Sequence, residues 1–228
     1  MVATFVRTGR SIIAIGRNFA EHAKELNNAV PTEPFYFLKP TSSYVPNGGK
    51  IEIPRGVVCH HEIELGVVIG KGGRDISEGD ADSHVAGYAL AIDMTARNMQ
   101  DVVKKKGLPW SAAKGFDTFT PISSLIPKAA IHDPHNVNLW LKINGEFKQN
   151  GNTKDMIFGI PQLINHISSI MSLQEGDLIL TGTPSGVGPV NAGDKITAGV
   201  ANPDAPDSPV MTLEFDAVAR PGGYQFKL

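Results

Sequence analysis

The chain has 228 residues, of which 41% are hydrophobic, enough to bury a substantial core. We expect one domain over residues 1–228, with residues 1–10 as a short N-terminal extension. The formal net charge of −2 and the lack of a long basic stripe argue against a nucleic-acid partner. No apolar run approaches the roughly 20 residues of a membrane helix, so we expect a soluble protein. A single cysteine, Cys59, fits a reducing compartment, the cytoplasm or the mitochondrion.

Short strand patterns outnumber helix patterns along the chain. Strands are predicted, in chain order, at residues 11–16, 35–38, 51–53, 62–70, 88–92, 139–148, 178–180, 195–200 and 210–218. Residues 35–38 read as a buried strand, and Asn144-Gly145 predicts a hairpin with a type I′ turn. Helices are predicted at residues 18–26, 96–106 and 157–171. This irregular order favours an α+β fold on a mixed sheet over a doubly wound parallel sheet.

Three acidic side chains stand on two of these predicted strands. Glu62 and Glu64 alternate along one strand and therefore share a face, and Asp93 ends the next apolar strand. Two carboxylates about 4 Å apart repel by roughly 4 kcal/mol at an effective dielectric of about 20. Such a cluster must take up a proton or a cation. Because residues 62–70 and 85–96 contain no Lys or Arg, we expect a metal ion and not a buried salt bridge.

The type of ligand atom narrows the choice of metal. Oxygen ligands alone favour Mg2+ first and Mn2+ second. Zinc is an alternative, because Cys59, His60 and His61 lie immediately upstream. Neighbouring residues of a strand face opposite sides, so at most His60 shares the face of the carboxylates. A second alternative is an edge strand whose glutamates are solvated.

Two further features could perform proton transfer or stabilise charge. His22 and Glu25 are one helical turn apart, so the carboxylate could hold the imidazole as a general base. The alternative is that His22 and Glu25 lie on the solvent-exposed face of an amphipathic helix. Lys114 is a lone cation among small and apolar residues, where it could stabilise developing negative charge. Most lysines of this kind extend to solvent instead.

The remaining polar motifs lie in a loop and on one helix. Residues 181–188 follow a strand and could offer backbone amides to an anion, although a plain turn is the alternative. The loop lacks the ending of a phosphate-binding P-loop, so nucleotide binding is not expected. Arg97 and Gln100 lie three residues apart and share a helix face. The lysine run 104–106 is interpreted as a solvated helix face.

Six segments, taken in chain order, resemble the fumarylacetoacetate hydrolase family. The segments are Gly16-Arg17-Asn18-Phe19 with His22 and Glu25, Phe37-Leu38-Lys39-Pro40, residues 60–66, Asp93-Met94-Thr95-Ala96-Arg97, residues 106–114 and residues 181–189. The likeness runs from about Ile12 to Phe215 and is strongest to the acylpyruvase branch, with its oxaloacetate decarboxylases and tautomerases. It implies an α+β fold, a mixed β-roll with flanking helices, assembled as a homodimer.

The resemblance also implies a role for each matching residue. Glu62, Glu64 and Asp93 would hold Mg2+ or Mn2+. His22 and Glu25 would form a water-activating pair on a lid, with Lys114 as a further catalytic residue. The matching substrate-contacting positions are Arg17, Arg97, Gln100 and Thr183.

The activity implied by the resemblance is Mg2+-dependent chemistry on small 2-oxo acids. The ion would stabilise an enolate of the substrate, which permits C–C hydrolysis of acylpyruvates and decarboxylation of oxaloacetate. Keto–enol tautomerisation of oxaloacetate is an alternative at the same site. A non-catalytic protein that binds 2-oxo acids ranks lower, as does an enzyme for longer diketo acids from aromatic degradation.

Overall fold

The computed structural model describes residues 5–21 and 31–227, and everything below concerns these residues. The helices are α1 Phe5–Thr8, α2 Arg97–Lys105, α3 Ser111–Lys114 and α4 Ile160–Ile170. Within the described ranges, none of the helices is long and apolar enough to cross a membrane.

Sixteen strands make up most of the regular structure in the described residues. They are β1 Ile12–Gly16, β2 Phe35–Lys39, β3 Tyr44–Pro46, β4 Lys50–Ile53, β5 Cys59–His61, β6 Ile63–Ile69, β7 Val85–Ile92, β8 Thr95–Ala96, β9 Thr120–Ile122, β10 Ile126–Pro127, β11 Asn138–Ile143, β12 Glu146–Asn152, β13 Leu178–Leu180, β14 Gly188–Val190, β15 Lys195–Ala201 and β16 Met211–Ala219. Strands therefore dominate over helices, as the sequence predicts.

The strands form three sheets. The largest has the order β2-β1-β13-β6-β7-β9-β3, with β10 paired to β7. A second sheet has the order β12-β11-β15-β16-β4, and a small third sheet has the order β14-β5-β8. The β1–β13, β3–β9 and β16–β4 pairs are parallel and most others are antiparallel. The mixed sheets confirm the predicted α+β class.

The sequence explains the central strands and the predicted hairpin. Every residue of β6 is buried, which the apolar run over residues 65–69 indicates, and the burial includes Glu64. Asn144 and Gly145 join β11 to β12 with φ values of 51° and 85°. Positive φ at both positions is what a type I′ turn requires, so the hairpin prediction is confirmed.

The core lies on both faces of the largest sheet. Ile13 and Ile15 of β1 belong to an apolar cluster that also contains Leu141 and Phe215 of the second sheet. Alternate side chains of the same strand, with Phe5 of α1, form a smaller cluster on the opposite face. The first ten residues were expected to be an extension, but Phe5 is buried against the sheet.

Two sequence predictions need correction or lie partly outside the described residues. β2 was predicted to be buried, but it is an edge strand in which Leu38 is 48% exposed. The helix predicted over residues 18–26 falls mostly outside the described residues, with only Ala20 and Glu21 helical within them. Asn18 was expected to start that helix. Its buried side chain bonds the backbone of Phe158 and Thr181.

The start of β1 depends on one buried carboxylate. Asp177 accepts hydrogen bonds from the backbone amides of Arg10, Ser11 and Gln174 at 3.0, 2.9 and 2.8 Å. Asp177→Ala leaves these amides without their acceptor, so we expect the free energy of unfolding to fall by about 3 kcal/mol. Urea denaturation measures the change, and Asp207→Ala at an exposed position is the control. Equal stability of the two variants would contradict this role.

Candidate active site

Strand pairing brings the three predicted carboxylates together. Glu62 precedes β6, Glu64 is its second residue, and Asp93 follows β7, which pairs antiparallel with β6. The Asp93 amide donates to the Glu62 carbonyl at 2.8 Å, and this hydrogen bond joins the start of β6 to the end of β7. One carboxylate oxygen from each residue lies within 4.8 Å of the others. The convergence predicted from strand alternation is therefore present in the structure.

All three acids are buried, so the alternative of a solvated edge strand is excluded. The relative exposures of Glu62, Glu64 and Asp93 are 7%, 1% and 1%. β6 lies between β13 and β7 in the interior of the largest sheet. Carboxylates at this depth need compensating charge or protons.

The expectation that no cation neutralises the cluster is wrong. Lys114 Nζ lies 3.1 Å from Glu62 Oε2 and 2.5 Å from Asp93 Oδ2. Lys39 Nζ pairs with Asp93 Oδ1, and the Arg97 guanidinium lies 2.6 Å from Glu62 Oε1. Lys39, at the end of β2, and Lys114, in α3, lie 54 and 21 residues from Asp93, beyond the reach of the local sequence pattern. Arg97, at the start of α2, lies immediately after the segment 85–96 that contains no Lys or Arg.

Glu64 differs from the other two acids. In residues 5–21 and 31–227, no Lys, Arg or His nitrogen lies within ion-pair distance of its carboxylate. Its Oε2 accepts the Gly182 amide at 2.7 Å. Burial, followed by the charges of Asp93 and Glu62, raises the pKa of Glu64 well above its ordinary value. Glu64 is therefore the acid whose charge most requires a partner.

The two buried lysines are affected in opposite directions. Burial lowers the pKa of Lys39 despite its pairing with Asp93. Burial also acts to lower the pKa of Lys114, but the charges of Asp93 and Glu62 outweigh it and raise that pKa. Lys114 therefore stays protonated between the two carboxylates, as expected for a lysine that faces negative charge.

The donor set suits a hard divalent ion. Three buried carboxylates offer oxygen ligands, and Glu64 Oε1 makes no hydrogen bond with the described residues. Burial raises the pKa of the Cys59 thiol to about 12. Burial and Arg97 lower the pKa of His60 to about 4, and its Nδ1 accepts from Arg97 at 3.3 Å. Neither residue joins the acidic group, so zinc finds no support among the described residues.

A pocket of about 40 Å³ opens above the acids. Since one water molecule needs about 10–15 Å³ of such space, the pocket has room for roughly three water molecules. Its lining contains every described residue predicted as a ligand, catalytic group or substrate contact, namely Arg17, Glu62, Glu64, Asp93, Arg97, Gln100, Lys114 and Thr183. Arg17 has a φ of 60°, an unusual conformation that often marks functional sites. The assigned roles remain predictions, but the structure brings these residues together.

His22 and Glu25, predicted as a catalytic pair, lie outside the described residues. The structure therefore gives no position for either side chain. Their role stays a prediction.

Hydrogen bonds fix the donors that face the pocket. Arg97 donates to Gln100 Oε1 at 2.5 Å, which orients the Gln100 amide and leaves its NH2 group for a ligand. Thr183 Oγ1 donates to the Ile63 carbonyl at 2.7 Å and accepts from Gln149 at 2.8 Å. Its hydroxyl proton is therefore engaged. The Thr183 backbone amide makes no hydrogen bond within the described ranges and is the group left to donate.

Sequence reasoning missed Gln149, which supports this loop from β12. Its Oε1 accepts from the Ile63 amide at 3.0 Å and from His61 Nδ1 at 2.8 Å. Its Nε2 donates to Thr183 Oγ1 and to the Pro184 carbonyl, both at 2.8 Å. One buried amide thus joins the start of β6 to the loop beside Glu64. The polar sequence around Gln149 in the β11–β12 hairpin is typical of an exposed strand and does not indicate this role.

Three other residues at the site were also missed. Lys39 appeared only within a motif, although a lone lysine that ends an apolar strand before a proline is a signal for a buried cation. Trp110 and Lys104 line the pocket as well. Lys104 was interpreted as part of a solvated helix face. Its side chain is exposed, as are those of Lys105 and Lys106, but Lys104 also lines the pocket.

Comparison with known proteins decides the family. Residues 11–214 match the family described as Fumarylacetoacetate (FAA) hydrolase C-terminal. The chain belongs to this family. It is 60% identical over 201 residues to oxaloacetate tautomerase FAHD1, mitochondrial, of Arabidopsis thaliana, with 88% of this chain and 90% of the relative covered. It is 56% identical over 218 residues to oxaloacetate decarboxylase, mitochondrial, of Dictyostelium discoideum, with 95% and 97% covered.

A solved structure extends the comparison to a metal complex. Fumarylpyruvate hydrolase from Pseudomonas aeruginosa, in complex with Mn2+ and pyruvate, superposes with a TM-score of 0.83 at 34% identity. The match covers 93% of this chain and 91% of that one. The predicted family and fold are confirmed. The relatives of this fumarylacetoacetate hydrolase family member are enzymes, as the resemblance implied.

Gln149 offers a direct test of how the site is held. Gln149→Leu has a similar volume but leaves the Ile63 amide, His61 Nδ1 and the Pro184 carbonyl without their partners. We expect the free energy of unfolding to fall by roughly 3 kcal/mol, measured by urea denaturation. Gln162→Leu, on the exposed side of α4, should change it by less than about 0.5 kcal/mol. A Gln149 variant as stable as this control would show that the network contributes nothing.

Proposed function

We propose that this protein is a divalent-metal-dependent enzyme that acts on small 2-oxo acids, with oxaloacetate as its main substrate. The observation that carries the proposal is the buried cluster of Glu62, Glu64 and Asp93 at a pocket whose other polar lining is largely cationic. The names of the Arabidopsis and Dictyostelium relatives support oxaloacetate, through tautomerisation or decarboxylation.

Mg2+ is the proposed ion and Mn2+ the alternative, since oxygen ligands suit both. Glu62, Glu64 and Asp93 would hold it. When bound, the ion supplies positive charge against the C1 carboxylate and C2 oxygen of a 2-oxo acid. Mn2+ in the Pseudomonas relative supports a divalent ion in this family.

The residues of the chain bind and orient the substrate. Arg17, which forms no ion pair within the described residues, and the Thr183 amide are placed to bind the C1 carboxylate. Lys114 keeps its proton and faces the charge that develops on the C2 oxygen. The Gln100 NH2 group, oriented by Arg97, donates to a second substrate oxygen.

Proton transfer at C3 then distinguishes the reactions. In tautomerisation, His22 supported by Glu25 removes a proton from C3 while the C2 oxygen gains one. In decarboxylation, the C3–C4 bond breaks, carbon dioxide leaves, and C3 gains a proton. Both reactions place negative charge on the C2 oxygen beside Lys114.

Hydrolysis of acylpyruvates is a second candidate, favoured by the fumarylpyruvate hydrolase neighbour. His22 would take a proton from water, which attacks the distal ketone, and the C3–C4 bond would break to give pyruvate and a carboxylic acid. The same residues serve all three reactions.

Compartment and assembly are proposed on the relatives and the resemblance alone. Both named relatives are mitochondrial, which favours the mitochondrion over the cytoplasm. The homodimer stays a prediction.

The function is tested by following enol-oxaloacetate, keto-oxaloacetate, carbon dioxide and pyruvate in one purified sample. We expect turnover with Mg2+ and its loss in chelator. Glu64→Ala should lower kcat/KM by about 100-fold or more, because removal of a ligand removes the charge that stabilises the transition state. Glu78→Ala at an exposed position is the matched control.

Three outcomes would overturn the proposal. Full activity in chelator, or an active Glu64→Ala enzyme, would remove the metal from the mechanism. A wild-type protein that binds 2-oxo acids but converts neither oxaloacetate nor acetylpyruvate would be a binding protein. Thermal melting of each variant establishes that a loss of activity does not reflect unfolding.

A further inference from the structure

Two cations in the pocket lining form no ion pair with any of the described residues. Lys114 and Arg97 pair with the buried carboxylates. Arg17 and Lys104 also line the pocket, but neither side chain forms an ion pair or hydrogen bond within the described parts of the chain. The pocket therefore offers two positive charges beyond those that balance its acids. The proposed function assigns Arg17 to the C1 carboxylate of the substrate and gives Lys104 no role.

Lys104 is aligned with residues that face the site. It follows Arg97 by seven residues and Gln100 by four, so all three lie on one face of α2. Arg97 contacts Glu62 at the inner end of this row, and Lys104 is exposed at the outer end. Side chains of a helix tilt towards its N-terminus, which directs Lys104 back towards the pocket.

An aromatic wall supports the Lys104 side chain. Its Nζ lies 6.0 Å from the centroid of the Trp110 ring. Trp110 packs against Phe35 and Phe37 with ring centroids 5.2 and 5.3 Å apart. The ammonium group is thus held over a fixed surface at the pocket opening, where it can meet one end of a bound molecule.

The surroundings of Lys104 favour an anion there. Burial and then the charge of Arg17 lower its pKa, and Arg97 adds to this effect while Asp101 opposes it. The Lys104 ammonium group is repelled by the guanidinium groups of Arg17 and Arg97. A substrate carboxylate bound among these three cations would lower their mutual repulsion.

We propose that Lys104 determines specificity by binding the second carboxylate of a 2-oxo dicarboxylic acid, the C4 carboxylate in oxaloacetate. The inference rests on the proposed function and extends it. The carboxylate cluster and Arg17 bind the 2-oxo acid end, and Lys104 binds the distal end about one helical turn beyond Gln100. Substrates with an uncharged distal group lack this contact. Lys104 therefore separates oxaloacetate from monocarboxylic acylpyruvates, which the remaining site residues treat alike.

Stable analogues test this role independently of turnover. Malate carries a C4 carboxylate, whereas 2-hydroxybutyrate has the same chain length and ends in a methyl group. Lys104→Met keeps an unbranched apolar side chain for Trp110 but removes the charge. With Mg2+ present, calorimetry should show the Kd of malate raised about 10-fold and that of 2-hydroxybutyrate changed by less than about twofold. Lys104→Arg should restore most of the malate affinity.

The neighbouring lysine is the matched control. Lys105→Met removes the same charge from an exposed position outside the pocket lining and should leave both affinities unchanged. Equal weakening of both ligands by Lys104→Met, no weakening, or the same effect from Lys105→Met would each overturn the assignment. Failure of the wild-type enzyme to convert oxaloacetate would instead overturn the proposed function, and the affinity ratio would still decide the role of Lys104.

Discussion

Mutual repulsion of three buried carboxylates is the constraint on which the site depends. Glu62, Glu64 and Asp93 approach within 4.8 Å inside the largest sheet, where each pair at about 4 Å repels by roughly 4 kcal/mol. Three cations from separate segments converge on them. The ends of β2, α2 and α3 are thereby tied to β6 and β7 through charge as well as packing. The same arrangement that satisfies the acids builds the walls of the pocket.

Buried ion pairs are a weak means of stabilising a fold, because the cost of removing both charges from water often exceeds their attraction. Their concentration at one pocket is therefore better explained by chemistry than by stability. Lys114 contacts two acids and keeps its proton, while Glu64 has a raised pKa and no cationic partner in the described residues. Glu62 and Asp93 are paired with cations and Glu64 is not, which leaves a place for a divalent ion beside Glu64.

Local sequence patterns predict the parts of this site that depend on local geometry. Strand alternation places Glu62 and Glu64 on one face, and the end of the neighbouring strand places Asp93 beside them. The type I′ hairpin and the buried side of α4, with Leu163 and Ile167, also follow from local patterns. Residues that no local pattern relates to the acids, such as Arg17, Lys114 and Thr183, were assigned to the site through the resemblance to the family.

Contacts between distant segments could not be predicted in this way. Lys39 lies 54 residues from Asp93, and the Gln149 amide reaches Ile63 across 86 residues. Such contacts depend on how the sheets pack, which periodicity does not specify. The same limit explains why β2 was assigned to the interior, since apolar residues on an edge strand look like those of a central one. Lys104 was missed because a lysine run looks identical whether its first member faces solvent or a pocket.

The central claim is that the three acids form a divalent-ion site. The most direct measurement is calorimetric titration of the purified chain with Mg2+ and Mn2+, beside Glu64→Gln, which retains the shape but not the charge of the side chain. The account predicts one ion per chain in the wild type and an affinity weakened by about 100-fold in the variant. Absence of binding to the wild type, or equal affinity in both proteins, would contradict it.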